Sequence, residues 1–308
     1  MQQHLKKIFI QKLNIKFFDL INSLCYNDNM KKIIICVVLM ICLIAGGVVV
    51  FFVVRNNDEK IQSPAGTWWW NSKLDQETYL TFAADNGVNE IYFHTSKFDE
   101  NTEAFITNAN SKEINVYWLA GEYQWLENNS KLLEKIDGYV EYQNQHKNAQ
   151  FCGIHLDIEP HQSPDFKTNR QQLIYKLIDL ANTLKTSYPT IKFDYDLPFW
   201  LHDEITFNNQ TKLAYEFMID IANRIFVMSY RDTSEAILKI AKEEIAYAEQ
   251  ENKQLVLCVE TNSSEGDNVS FKEEGKQVMQ EELNKLKKEI PENFGIAIHH
   301  IKTWYDLF

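Results

Sequence analysis

The chain has 308 residues, 45% of them hydrophobic and 13% aromatic, which is ample for a large globular core. Its net charge of −12 is unevenly held: residues 1–60 carry eight Lys and Arg against four Asp and Glu, a net +4, which leaves −16 for the remainder. So acidic a remainder argues against nucleic acid or anionic lipid as its partner.

Nothing in the first thirty residues suggests a fold. Ile33 to Val54 is then an uninterrupted apolar run with no charge, and about 20 such residues cross a bilayer as a helix. Lys6, Lys7, Lys12, Lys16, Lys31 and Lys32 precede it, whereas Asp58 and Glu59 follow. The positive-inside rule therefore predicts a single-pass protein of the cell membrane, with residues 1–32 cytoplasmic, 33–54 a transmembrane signal anchor, and everything after Arg55 extracytoplasmic. A cleaved signal peptide is the competing reading, but the run is longer than a usual apolar signal region and lacks a small-x-small cleavage site. Met30-Lys31-Lys32 by itself forms a complete signal-anchor start, so residues 1–29 read as an extension or a misassigned start. Residues 55–64 read as a polar linker. Cys25, Cys36 and Cys42 lie near or in the apolar run, leaving Cys152 and Cys258 in the external part and no disulfide framework.

From about Ala65 to Phe308, short β-rich runs alternate with longer amphipathic stretches. The strand runs are 66–70, 90–94, 114–119, 153–158, 191–195, 225–230, 255–259 and 295–299. Helical spacing is clearest over 74–84, 131–146, 170–186, 234–251 and 276–288. Eight β/α units over 65–308 predict a (β/α)8 TIM barrel, preceded by the one transmembrane helix. A doubly wound open sheet is the structural alternative. It usually has a Gly-rich phosphate turn after its first strand, which is not found among the chain's 10 glycines.

The fourth strand run carries the strongest chemical signal. In Phe151-Cys152-Gly153-Ile154-His155-Leu156-Asp157-Ile158-Glu159-Pro160-His161, period-two alternation sends His155, Asp157 and Glu159 to one face. Two carboxylates about 6–7 Å apart on a strand raise one another's pKa, which keeps one acid protonated beside one that is ionised. Glycosidic bond cleavage needs that pair. Barrels of this class build their chemistry on the C-terminal strand ends, where this sequence places Trp69, Trp118, Asp194, Asp196, Trp200, Tyr230, Arg231, Glu260, His299, His300 and Trp304. Carboxylates rimmed by Trp and Tyr suit a sugar cleft, because aromatic faces stack on pyranose C–H faces while carboxylates accept hydroxyl hydrogen bonds.

At this strand the chain resembles glycoside hydrolase family 18, whose pattern Gly-hydrophobic-Asp-hydrophobic-Asp-x-Glu ends in the catalytic acid. The resemblance implies Glu159 as general acid and Asp157 as the aspartate that assists it, with His155 in place of the first aspartate. Met228-Ser229-Tyr230-Arg231-Asp232 is similar to the family's Met-x-Tyr-Asp segment, which implies that Tyr230 holds the substrate's acetamido group; Arg231 stands where the aspartate would. His299 or His300, with Trp304 beyond, stands near the family's cleft-floor tryptophan. Gly-Thr-Trp-Trp-Trp-Asn, Pro-Phe-Trp and Ala-Ile-His-His extend a likeness to membrane-anchored bacterial-type barrel proteins over nearly the whole external domain.

The expected activity is hydrolysis of a cell-surface or extracellular glycan without a cofactor. Two routes stay open: attack by the substrate's own N-acetyl carbonyl, positioned by Asp157 and Tyr230, or a nucleophile or base from another strand, Asp196 or Glu260. Two other classes compete. One is a metal-dependent hydrolase using His155, Asp157, Glu159 and His161; the other is a catalytically silent carbohydrate-binding barrel.

Overall fold

The computed structural model describes residues 65–263 and 266–308; the segments expected to form the cytoplasmic part, the membrane span and the linker lie outside the described residues. Among the described residues no helix is long and apolar enough to cross a membrane. The strands in chain order are β1 (Ala65–Trp69), β2 (Glu90–His94), β3 (Asn115–Ala120), β4 (Ile154–Leu156), β5 (Phe193–Pro198), β6 (Glu204–Phe207), β7 (Gln210–Leu213), β8 (Arg224–Met228), β9 (Gln254–Glu260) and β10 (Gly295–His299). Eight of them close a barrel in the order β1-β2-β3-β4-β5-β8-β9-β10, with every neighbouring pair parallel. These are the eight runs the sequence marks as strands.

The remaining pair, β6 and β7, is an antiparallel hairpin inserted after β5, which the sequence reading does not anticipate. Its two-residue loop is Asn208-Asn209, both in the left-handed region at φ 51° and 62°, as a primed hairpin turn requires. Such short strands carry little periodic signal.

The helices are α1 (Gln76–Asp85), α2 (Glu100–Asn110), α3 (Ser130–Gln145), α4 (Phe166–Ser187), α5 (Ala214–Ile221), α6 (Ser234–Ile240), α7 (Lys242–Gln250), α8 (Gly275–Glu289) and α9 (Ile301–Tyr305). Local chemistry starts several of them. Asp75 accepts the Thr78 N–H at 2.9 Å ahead of α1, and Asp99 accepts those of Asn101 and Thr102 ahead of α2. The helix expected from 170 begins earlier, because α4 runs through a kink at Asn169. The single helix expected over 234–251 is instead two, parted at Ala241, whose φ/ψ of −99°/12° ends the first.

Strand parity sorts the core. Outward side chains such as Ile91, Phe93, Val116, Ile154, Leu156, Val227 and Leu257 are buried under the helices. Inward ones, Trp68, Tyr92, Leu119, Phe226, Cys258 and Ala297, fill the barrel so that it is packed and not a pore. Each such large side chain contributes about 1.5–3 kcal/mol by burial. Tyr92 lies over Gly66, where a Cβ would stand 2.2 Å from the tyrosine hydroxyl.

Below this layer Arg224 donates to both oxygens of Glu90 at 2.8 Å and to Asp194 Oδ2 at 2.6 and 3.1 Å. Asp194 is thus not at the rim, where the sequence reading expects it. Its place early on β5 commits it to a buried cation.

Candidate active site

A cavity of about 850 Å³ opens where seven of the eight barrel strands end. Strand β4 is short, but the chain stays extended beyond it and delivers Asp157 and Glu159 to this cavity. The Asp157 amide donates to the Ala120 carbonyl at 3.0 Å, so the end of β3 holds the carboxylate-bearing segment. Gly121 allows this approach, since a Cβ there would lie 1.9 Å from the Asp157 carbonyl oxygen. Glu159 reaches into the cavity with its side chain 14% exposed, receives a hydrogen bond from the Gln162 amide, and lies 3.6 Å from His161 Nε2.

The floor is built from β1, β4 and β5. Asp196 is 3% exposed, and its Oδ2 accepts Trp68 Nε1–H at 3.2 Å while facing His155 Nε2 at 2.9 Å. Burial pushes the His155 imidazole down to about 3, so the ring is neutral at physiological pH. It stacks on Tyr92 at 4.3 Å between centroids. Burial, then the charges of Asp196 and Glu159, push the Asp157 carboxyl well above the usual carboxylate range. Burial does the same to Asp196, against the opposing Trp68 N–H. One oxygen of each, Oδ1, is buried without a hydrogen-bond partner among the described residues.

The opposite wall comes from β9, β10 and β1. Glu260 Oε1 accepts the backbone N–H groups of Thr261 and Asn262, each at 2.7 Å, and its Oε2 accepts His299 Nδ1–H at 2.7 Å. Both oxygens of this 1%-exposed carboxylate are therefore engaged inside the protein. Burial pulls the His299 imidazole down, but Glu260, Asp157 and Asp196 outweigh it and favour the imidazolium. Trp70 Nε1–H points at His299 Nε2 at 3.1 Å and requires the neutral ring, because two N–H groups cannot bond to each other. The hydrogen-bond geometry decides for the neutral tautomer with its proton on Nδ1. Tyr230 stacks on His299, 6.2 Å and 25° apart, and burial holds its phenol protonated.

The rim is aromatic and basic. Trp200 stands edge-on to His161 and to Phe166, and the Arg170 guanidinium covers its ring at 4.8 Å while pairing with Asp203 through two 2.7 Å bonds. Arg231 lies over Phe199 at 5.2 Å and donates to the Tyr230 carbonyl at 2.6 Å.

Of the residues singled out from sequence, Asp157, Glu159, Asp196, Trp200, Tyr230, Arg231, Glu260, His299 and His300 line one cavity. His155 lies beneath it. Trp69, Trp118 and Trp304 do not reach it: Trp69 packs 4.9 Å from Phe105, Trp118 5.1 Å from Phe98, and Trp304 5.0 Å from Phe82, in the layer between strands and helices. Trp68 and Trp70, one position either side of Trp69, are the tryptophans β1 aims inward. Barrel parity is the signal that separates them, but it needs the register of a neighbouring strand as reference. Phe199, from the Pro-Phe-Trp segment, also lines the cavity, as do Gln162 and Gly121, which have no sequence signal of their own. Among the described residues no three His, Cys, Asp or Glu side chains are placed to share a metal ion, and His155 Nε2 is already taken by Asp196.

No family model matches the chain, and no curated protein matches it. Solved structures do. A GH18 chitinase from Pseudoalteromonas aurantia is 12% identical with a TM-score of 0.54, over 80% of this chain and 100% of that one. The spore cortex-lytic enzyme SleL of Bacillus megaterium is 12% identical with a TM-score of 0.44, over 80% of this chain and 73% of that one. The glycoside hydrolase domain of PelA from Pseudomonas aeruginosa is 7% identical with a TM-score of 0.44, over 78% and 96%. The similarity to the first of these shows a shared barrel fold.

Proposed function

We propose that this protein is a membrane-anchored, extracytoplasmic glycoside hydrolase acting on a polymer of N-acetylated sugars. The carrying observation is the paired delivery of Asp157 and Glu159 from β4 into a single cavity walled by Trp70, Trp200 and Tyr230. In this reading Glu159 protonates the leaving glycosidic oxygen. Asp157 and Tyr230 orient the acetamido group so that its carbonyl attacks the anomeric carbon, with net retention. This route does not call on Glu260 as the nucleophile, whose oxygens are engaged by two backbone amides and His299. The solved relative with the shared fold is by name a chitinase, which makes an N-acetylated polymer the first substrate to try.

The test uses the full-length protein in detergent against chitin oligomers, peptidoglycan and exopolysaccharides. Glu159→Gln is expected to lower kcat by at least about 100-fold while glycan binding persists. Equal hydrolysis by the variant and the parent protein removes Glu159 from the role. Binding without hydrolysis by the parent protein identifies a carbohydrate-binding barrel instead.

The anchor rests on the charge-free run 33–54 and its lysine-rich flank. Deleting residues 33–54 is expected to move the protein from the membrane pellet to the soluble fraction. A protein that pellets regardless is held by something else.

A further inference from the structure

Arg170, Arg224 and Arg231 are the arginines among the described residues, and the first two are committed to carboxylates. Arg170 pairs with Asp203 through two 2.7 Å bonds, and Arg224 is buried between Glu90 and Asp194. Arg231 makes no ion pair with a described residue. It is half-buried and lines the large cavity. Its Nη1 donates to the Tyr230 carbonyl at 2.6 Å, and the other N–H groups of the fork have no partner among the described residues.

Two adjacent strands hold the guanidinium in place. Pro198 on β5 is in register with Met228 on β8, and past that point one chain runs into Phe199-Trp200 and the other into Tyr230-Arg231. The Phe199 ring, 5.2 Å from the guanidinium carbon, and the Tyr230 carbonyl fix its position, so little freedom is left to lose on binding. The acids of the cavity are occupied elsewhere. Glu260 is bonded by two backbone amides and His299, Asp196 Oδ2 by Trp68 with His155 beside it, and Glu159 by Gln162 with His161 close by.

A glycan that fills this cavity takes water from an arginine that has no counter-ion. A neutral sugar returns only hydroxyl oxygens to it, whereas a carboxylate matches the planar fork with two parallel hydrogen bonds and supplies the opposite charge. The segment that this chain resembles carries an aspartate at this position, so the sign of the charge is reversed here.

We propose that Arg231 binds a carboxylate carried by the glycan, so that the cavity takes an acidic N-acetylated glycan in preference to a neutral one. The inference rests on the reading of this cavity as a glycan site. Two kinds of sugar supply such a group: an N-acetylated sugar bearing a lactyl ether, and a uronic acid alternating with an N-acetylated sugar.

The test gives the full-length protein in detergent, at neutral pH, two pairs of tetrasaccharides. One pair alternates N-acetylglucosamine with N-acetylmuramic acid, the other N-acetylglucosamine with glucuronic acid, and each is offered with its carboxylates free or reduced to alcohols. In one pair the free acid is expected to be cleaved with kcat/KM at least about tenfold above its reduced form, and the pair that shows it identifies the source of the acid. Arg231→Gln is expected to bring that ratio close to one. Should this variant not fold, as judged by near-UV circular dichroism, Arg231→Lys takes its place; it keeps the charge, loses the fork, and is expected to lose part of the preference. Equal handling of acid and alcohol in both pairs by the parent protein, or a preference undiminished in the variant, overturns the proposal. Cleavage of none of the four counts against the hydrolase reading, and the ratio of Kd values for the same ligands by calorimetry then decides the recognition of the acid by itself.

Discussion

Glu260 and Asp157 are both acidic residues of one cleft, yet their surroundings give them different capacities. Both Glu260 oxygens are engaged, by the Thr261 and Asn262 amides and by His299, so its work is to hold β10's histidine against Trp70. Glu260→Gln replaces one acceptor oxygen with an amide group that faces donors. The expected cost is about 2–3 kcal/mol for the buried donors left unpaired, measured by urea unfolding; a change under about 0.5 kcal/mol, the level of a neutral surface substitution, refutes the structural role. The tryptophans of β1 divide by the same local logic. Trp68 and Trp70 reach the barrel interior and cavity, while Trp69 packs on Phe105 and Tyr79.

At the scale of elements, the helix starts follow from residues next to them. Asp99 accepts two amide hydrogens of α2 at 3.0 and 3.3 Å, and Asp99→Ala is expected to lower stability by about 1 kcal/mol. A thermal midpoint equal to that of the parent protein would show that water serves the helix end as well. The β6–β7 hairpin shows the opposite case. Its strands are four residues each, and its turn depends on two asparagines at positive φ. Ile205 and Phe207 alternate with exposed Glu204 and Thr206, a pattern too brief to distinguish from a loop before the fold places it between β5 and α5.

At the scale of the molecule, buried histidine makes stability depend on pH. The folded His155 ring stays neutral down to about 3, whereas the unfolded ring gains a proton near 6.5. Between those values the unfolded state binds more protons, so this residue's contribution is full above pH 6.5 and is lost as pH falls toward 3. Asp157 and Asp196 act with the opposite sign: their folded forms keep protons that the unfolded chain releases above about 4, which lowers stability as pH rises. Comparing the parent protein with His155→Gln isolates the contribution of the histidine. The stability difference between them is expected to grow from pH 3 to 6.5, by up to about 1.4 kcal/mol per unit. A difference independent of pH would show that the ring is not held neutral by burial.

What the linear order of residues determined was the barrel itself. Eight short β-rich runs, separated by amphipathic stretches with period near 3.6, have few ways to bury both patterns, and a closed parallel sheet wrapped by helices is one of them. Because parity is a local property, the chain also announced that His155, Asp157 and Glu159 share a face, and the short reach from β4 carried the latter two into the cavity. Only the tertiary structure decided which distant groups meet. It joined Arg224 to Asp194 and Glu90 beneath the barrel interior, His155 and Trp68 to Asp196, and Glu260 to Trp70 through His299, over separations of 30 to 229 residues. Strand register and stagger around the barrel set those meetings, and register is a property of pairs of strands that no single stretch of sequence contains.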